Sequence, residues 1–305
     1  MTNFVGAHRS SLESGIGYHY PVKWKRTQSD HVDDMRGMSG GRLGMGAAAG
    51  GGLIGLVVLL LNVLGGGGGG NVGDVLGQLG GAVPAAEPSG TAAPPTEESE
   101  FVTFLTEDVQ ALWDDEFQQS GRQYEYARVN MFTGQVQTGC GPATSAVGPF
   151  YCPADKEVYI DLDFFRELSS RFGAPGDFAQ AYVIAHEIGH HVQNLLGISD
   201  EVRQEEQSAG SQAEANEWSV KLELQADCLA GVWAHSVYAR GDLEAGDIEE
   251  GLAAAQGVGD DRIQAQAGMS VNPETWTHGS STQRQRWFDA GFQSGRSEDC
   301  DTFSS

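Results

Sequence analysis

"AYVIAHEIGHHVQNLLG", residues Ala181–Gly197, gathers three of the chain's 8 histidines into one apolar run. Phe178, Ala181, Tyr182, Ala185, Ile188 and Val192 recur through it at helical spacing. Asp177 stands where a helix cap is expected, and Gly197 where a helix stops. A helix here puts His186 and His190, spaced i and i+4, on one face with Cβ atoms about 5–6 Å apart. Two imidazole nitrogens so placed can share one Zn²⁺ at about 2.0–2.1 Å each. Glu187 lies one position further round, beside the metal rather than on it, where the glutamate of an H-E-x-x-H site acts as general base. A single buried histidine is ordinarily a hydrogen-bonded core residue. Two histidines and a glutamate buried in register without partners would cost several kcal/mol. His191 points about 100° away from His190 and is not expected to share the metal. Gly189 permits another element to pack closely at this point. His235 and His8 have no comparable context and read as structural or surface residues.

An open zinc site takes a third protein ligand and leaves its fourth position to water. Downstream, "KLELQADCLAG" offers Glu223 and Asp227, again i and i+4. One carboxylate can ligate, and the other can accept an N–H from a ligand histidine. Leu222, Leu224, Ala226, Leu229 and Ala230 make this face a packed one rather than a solvated one.

The rest of the chain frames this core. Its 305 residues carry a net charge of −24, which argues against a nucleic-acid partner because phosphate binding needs clustered Lys and Arg. Residues 1–44 read as a polar cytoplasmic tail in which basic residues outnumber acidic ones. No charge occurs from Leu43 to Gly73, and Met45–Leu64 has about the 20 residues that one bilayer crossing needs. The basic flank comes first. The expectation is therefore one transmembrane helix at 45–64 in the cell membrane, with a cytoplasmic N-terminus and an extracytoplasmic remainder. Residues 65–99 are rich in Gly, Ala and Pro and read as a flexible linker. Residues 100–305 form one domain, long enough to bury a core.

Within that domain "FVTFLTEDVQALWDDEFQQSG" has a helical pattern ending at Gly121. "YARVNMFT", "QVQTG", "GPFYC" and "EVYIDL" read as a small sheet. "DFFRELSSRFG" returns to helix. The Glu223 helix opens at a capping box of Ser211 and Glu214 and closes at Gly241. Helices follow near Asp247–Gln256 and Thr282–Phe292, giving a helix-rich α+β class. Four cysteines in an exported domain favour disulfides, and three pairings are possible. The short loop of Cys140–Cys152 is the cheapest to close, which leaves Cys228 with Cys300.

H-E-I-G-H followed by E-L-Q-A-D resembles the gluzincin metallopeptidases, including the CAAX-protease group with its H-E-x-x-H and E-x-x-A-D motifs. The closer likeness is to the bacterial neutral zinc metallopeptidase family with one N-terminal membrane span. It is carried in order by "WKRTQSDHVDDMRG", "CGPATSAVGPFYCPADKEVYIDLDFF", "RFGAPGDFAQAYVIAHEIGHHVQNLLG", "LELQADCLAGVWAH" and "THGSSTQRQRWFDAGF". The resemblance implies a zincin-like fold with Glu223 as third ligand and Asp227 behind a ligand histidine. It also points to His278, in "THGSSTQR", as a hydrogen-bond donor to a developing oxyanion. This chain has Gly279 where the CAAX-protease group has proline.

The expected function is a membrane-anchored zinc peptidase acting on protein or peptide substrates. Zn²⁺ lowers the pKa of bound water, Glu187 takes its proton, and substrate backbone pairs with an exposed strand in "TSAVGPFYC". Two rivals share much of the pattern: a non-proteolytic zinc scaffold, and a zinc hydrolase of a non-peptide amide such as a cell-wall cross-link. A structural site closes its fourth position with a protein ligand, and no extra His or Cys stands at ligand spacing here.

Overall fold

The computed structural model describes residues 23–37 and 93–304. Its strands are β1 (Val32–Asp34), β2 (Arg128–Phe132), β3 (Gln135–Thr138), β4 (Gly141–Thr144), β5 (Phe150–Cys152) and β6 (Glu157–Asp161). Four of them form a sheet in the order β1-β2-β6-β5, while β3 and β4 make a separate two-stranded pair. β1 and β6 both run parallel to β2, and β5 runs antiparallel to β6 at the edge. Val129, Met131, Val158 and Ile160 turn from this sheet into the core. The helices are α1 (Glu97–Gln119), α2 (Asp163–Ser170), α3 (Asp177–Leu196), α4 (Ile198–Ser208), α5 (Gln212–Arg240), α6 (Asp247–Gly257), α7 (Asp260–Gln266) and α8 (Ser281–Ser294). The class is helix-rich α+β, as the pattern predicts.

α1 buries the stripe Phe101, Leu105, Val109, Trp113 and Phe117. It begins at Glu97 because Thr96 and Ser99 form a capping box, so the expected linker of 65–99 ends too late. α3 stops where Gly197 adopts the left-handed conformation, and α5 stops the same way at Gly241. Asp177 does not cap α3. The Glu250 carboxylate on α6 does so, accepting the Phe178 N–H at 3.1 Å. Ser211 caps α5 as expected, but Glu214 turns to the Gly210 N–H instead of completing the box.

α8 lies unusually close along α5. A Cβ on Gly231 would stand 2.1 Å from the Phe288 carbonyl, and one on Gly291 would stand 1.9 Å from the Cys228 carbonyl. Two facing glycines thus let two backbones touch. Both expected disulfides are present, Cys140–Cys152 and Cys228–Cys300. The second ties α5 to the C-terminal segment.

The N-terminal residues need a correction. Residues 23–37 are not a tail apart from the domain. β1 pairs with β2, the Trp24 ring packs on Phe101 at 5.6 Å, and Lys23 donates to the Gly241 carbonyl at 2.8 Å. Ala93 donates its N–H to the Arg36 carbonyl at 2.7 Å, so the chain returns beside the point from which it left. Met45–Leu64 itself lies outside the described residues, and among the described residues no helix is long and apolar enough to cross a membrane. The sequence signal was missed because "HVDD" is too short and too acidic to read as a strand.

Candidate metal centre

Gly189 decides how close α3 and α5 come. A Cβ there would lie 3.2 Å from the Ala226 carbonyl oxygen, and the two helices meet at that point. The contact sets Glu223 opposite both histidines. His186 Nε2 lies 3.2 Å from Glu223 Oε2, and His190 Nε2 lies 3.3 Å from Glu223 Oε1. The two rings are 4.8 Å apart and nearly perpendicular. Donors about 2.1 Å from one tetrahedral ion stand roughly 3.4 Å from each other. Each imidazole nitrogen thus stands at about that distance from a Glu223 oxygen, and all three donors lie within 4.8 Å of one another, a set that zinc can draw together.

Behind His186 sits a buried ionic network. Asp227 Oδ1 lies 2.9 Å from His186 Nδ1, which leaves Nε2 free to face Glu223. Arg284, on α8, grips Asp227 with two donors, Nε to Oδ2 at 2.8 Å and Nη2 to Oδ1 at 2.9 Å. Arg284 also donates to the Tyr182 hydroxyl at 3.1 Å, and that hydroxyl donates to Asp227. Burial would raise the Asp227 carboxyl, but Arg284 and His186 together outweigh it and hold Asp227 below the usual carboxylate range. Glu223 is likewise held well below that range, since His190, His278 and His186 together outweigh burial.

Behind His190 the arrangement is neutral. His190 Nδ1 lies 2.8 Å from Gln193 Oε1. Gln193 donates to the Leu222 carbonyl at 2.7 Å and to Gln225 Oε1 at 3.1 Å, and Gln225 donates to the Cys300 carbonyl at 3.0 Å.

Glu187 is buried beside the two histidines, and burial pushes its carboxyl up despite their opposing influence. A carboxylate raised in this way is better matched to taking and returning a proton near neutral pH. His278 stands partly exposed at the end of the segment before α8. Burial alone would lower it, but the Asp260 and Glu223 carboxylates raise its imidazole above the ordinary value. Asp260 also accepts the N–H groups of Thr277, His278 and Gly279 at 2.8, 2.7 and 3.1 Å, which fixes this segment. Gly279 has φ +90°, a value the proline ring forbids, so the glycine is a requirement of this backbone.

His191 faces the sheet. Its Nε2 meets the Glu125 carbonyl at 2.6 Å and its Nδ1 meets the Tyr151 hydroxyl at 3.0 Å. Burial lowers its pKa, and it fastens edge strand β5 to α3 rather than joining the donor set. The expected substrate strand "TSAVGPFYC" is only partly strand, because Ser145–Val147 is a turn of 3₁₀ helix and β5 starts at Phe150. A second group, Asp177, Asp247 and Glu250, gathers carboxylates at the start of α3, with no nitrogen donor.

Sequence reasoning assigned no role to Tyr182, Gln193, Gln225, Asp260 or Arg284. Tyr182 stands four residues before His186 and Gln193 three after His190, so helical spacing held that signal. For Arg284 there was none, because an arginine on a polar helix, with Arg286 two positions on, reads as solvated.

Two helices thus bring two histidines and a glutamate together, with a further glutamate alongside, in a donor set of the kind zinc takes. The family model described as "Putative neutral zinc metallopeptidase" matches residues 22–303, and the chain belongs to that family, whose metal is zinc. The chain is 45% identical over 293 residues to "Uncharacterized protein YpfJ" of Escherichia coli (strain K12), covering 92% of this chain and 99% of the relative. It is 51% identical over 192 residues to "Uncharacterized protein Rv2575" of Mycobacterium tuberculosis (strain H37Rv), covering 59% of this chain and 64% of the relative. No solved structure matches the chain.

Proposed function

We propose that this protein is a zinc-dependent peptidase in which His186, His190 and Glu223 hold the metal and Glu187 is the general base. The observation that carries this reading is the convergence of three donors within 4.8 Å of one another, with Glu187 buried next to two of them. Zinc bound there supplies a Lewis acid that makes water nucleophilic near neutral pH. Glu187 accepts the proton of the attacking water and delivers it to the leaving amine. His278, its imidazole raised above the ordinary value by Asp260 and Glu223, donates to the oxygen of the substrate carbonyl as charge develops there. Strand β5 lies at the sheet edge with β6 as its partner, and an extended peptide can add to its other side. Asp227 and Arg284 keep His186 in the tautomer that turns Nε2 to the metal.

Two disulfides support residence in an oxidising compartment. The pairing of β1 with β2 supports the same residence for residues 23–37.

Glu187→Gln tests the reading. The variant should bind zinc like the parent chain and lose roughly 10²–10⁴-fold in peptide cleavage, checked by metal analysis and a peptide-library digest. A zinc-loaded Glu187→Gln chain that cleaves at the parental rate would overturn it.

A further inference from the structure

Resting on the metal-centre reading above, we propose that Gln193 and Gln225 are positioning residues that fix the tautomer of His190 from the disulfide-held C-terminal segment. The argument is one of donors and acceptors. A backbone carbonyl can only accept. The Leu222 carbonyl, 2.7 Å from the Gln193 amide, therefore requires the amide nitrogen on its side. A flipped amide would set two acceptors against each other with no proton between them. The nitrogen's other proton goes to Gln225 Oε1 at 3.1 Å. Gln225 is fixed by the same logic, because its own nitrogen faces the Cys300 carbonyl at 3.0 Å.

With Gln193 so oriented, its Oε1 is the atom that faces His190, at 2.8 Å. An oxygen there needs a proton on His190 Nδ1. In the neutral ring Nε2 is then the nitrogen left to a metal, and it is Nε2 that stands 3.3 Å from Glu223 Oε1. Gln193 is fully buried and Gln225 nearly so, which keeps water from offering other partners. Two acceptor-only carbonyls, one on α5 and one on a disulfide cysteine, thus decide which nitrogen of a metal ligand is free to bind.

The test is zinc affinity, measured by competition with a fluorescent chelator, in the full chain. Gln193→Leu should weaken zinc binding about 10–100-fold. Gln193→Glu keeps an oxygen facing Nδ1 but loses both donations, so it should melt lower than the parent chain yet hold zinc more tightly than Gln193→Leu. Affinity that merely follows melting temperature across these variants would overturn the proposal. Parental affinity in Gln193→Leu would overturn it too. Glu223→Gln separates the two readings. If it loses zinc while Gln193→Leu does not, only this inference fails; if it keeps parental affinity, the metal centre fails and this inference with it. A measurement on the unsubstituted chain guards against variants that do not fold. Nitrogen NMR of the zinc-stripped protein should find a proton on His190 Nδ1, since the amide chain holds it there without metal, whatever Nε2 shares with Glu223. A bare Nδ1 there overturns the proposal.

Discussion

His186 and His190 occupy adjacent turns of one helix and face one partner, yet they are held from behind in opposite ways. His186 leans on a carboxylate that is itself pinned by an arginine and a tyrosine. His190 leans on two uncharged amides that end on backbone carbonyls. The difference teaches that a ring can be oriented by charge or by hydrogen-bond polarity alone. The two devices fail differently. Removing one ion leaves the other buried and uncompensated. Removing an amide costs the hydrogen bonds it made, each worth about 1 kcal/mol.

Arg284→Met should therefore produce the largest loss, about 3–5 kcal/mol of unfolding free energy, because Asp227 is fully buried and loses its cation. Chemical denaturation measures it, and a loss below about 1 kcal/mol would erase the contrast between the two sides. Next, Cys228→Ser with Cys300→Ser opens a loop spanning 72 residues and should cost roughly 2–4 kcal/mol. The same pair sharpens the comparison. The His190 tautomer, read by nitrogen NMR, should become mixed while that of His186 stays fixed. Gly189→Ala strikes both sides at once. Its Cβ would press on Ala226 and push α3 from α5, so a loss of about 1–3 kcal/mol should accompany weaker zinc binding. Zinc affinity unchanged in that variant would show that the donor spacing does not depend on the helix contact.

Glu250 gives the smallest effect and shows a carboxylate with no arginine. Burial, with Asp177 and Asp247 nearby, raises it to about 7 from the ordinary 4.5, against the opposing Phe178 N–H. The folded chain then keeps a proton that the unfolded chain releases, so stability falls as pH rises from about 4.5 through about 7. Glu250→Gln removes this decline. Thermal midpoints of the two proteins should coincide near pH 4 and separate toward pH 8 with the variant higher, whereas parallel curves would contradict it.

The sequence made the donors legible because they are local. Two i, i+4 pairs, a glycine stop after each helix and two cysteine pairs can be read without knowing what packs on what. The supports were less legible in proportion to distance. Tyr182 and Gln193 share the histidine face and were within reach of helical spacing. Arg284 reaches Asp227 across 57 residues, and only the touching backbones at Gly231 and Gly291 bring α8 near enough. β1 was hidden further, since its partner β2 lies beyond the whole of α1. α4 escaped because it buries only Val202 and has no apolar stripe.

The backbone hydrogen bond between Arg36 and Ala93 carries one more consequence. The pieces on either side of residues 38–92 are held to each other by contacts of their own. A protease nick there would leave a short peptide seated as β1, held by Trp24, the Arg26–Glu100 pair and the Arg128–Asp33 pair. The two pieces should co-purify under native conditions and part only in denaturant. Nicking changes one quantity, the effective concentration of the strand, from that of a tethered segment to that of a free one. The protein is thus a natural template for fragment complementation, with the smaller fragment supplying an outer strand and no metal donor.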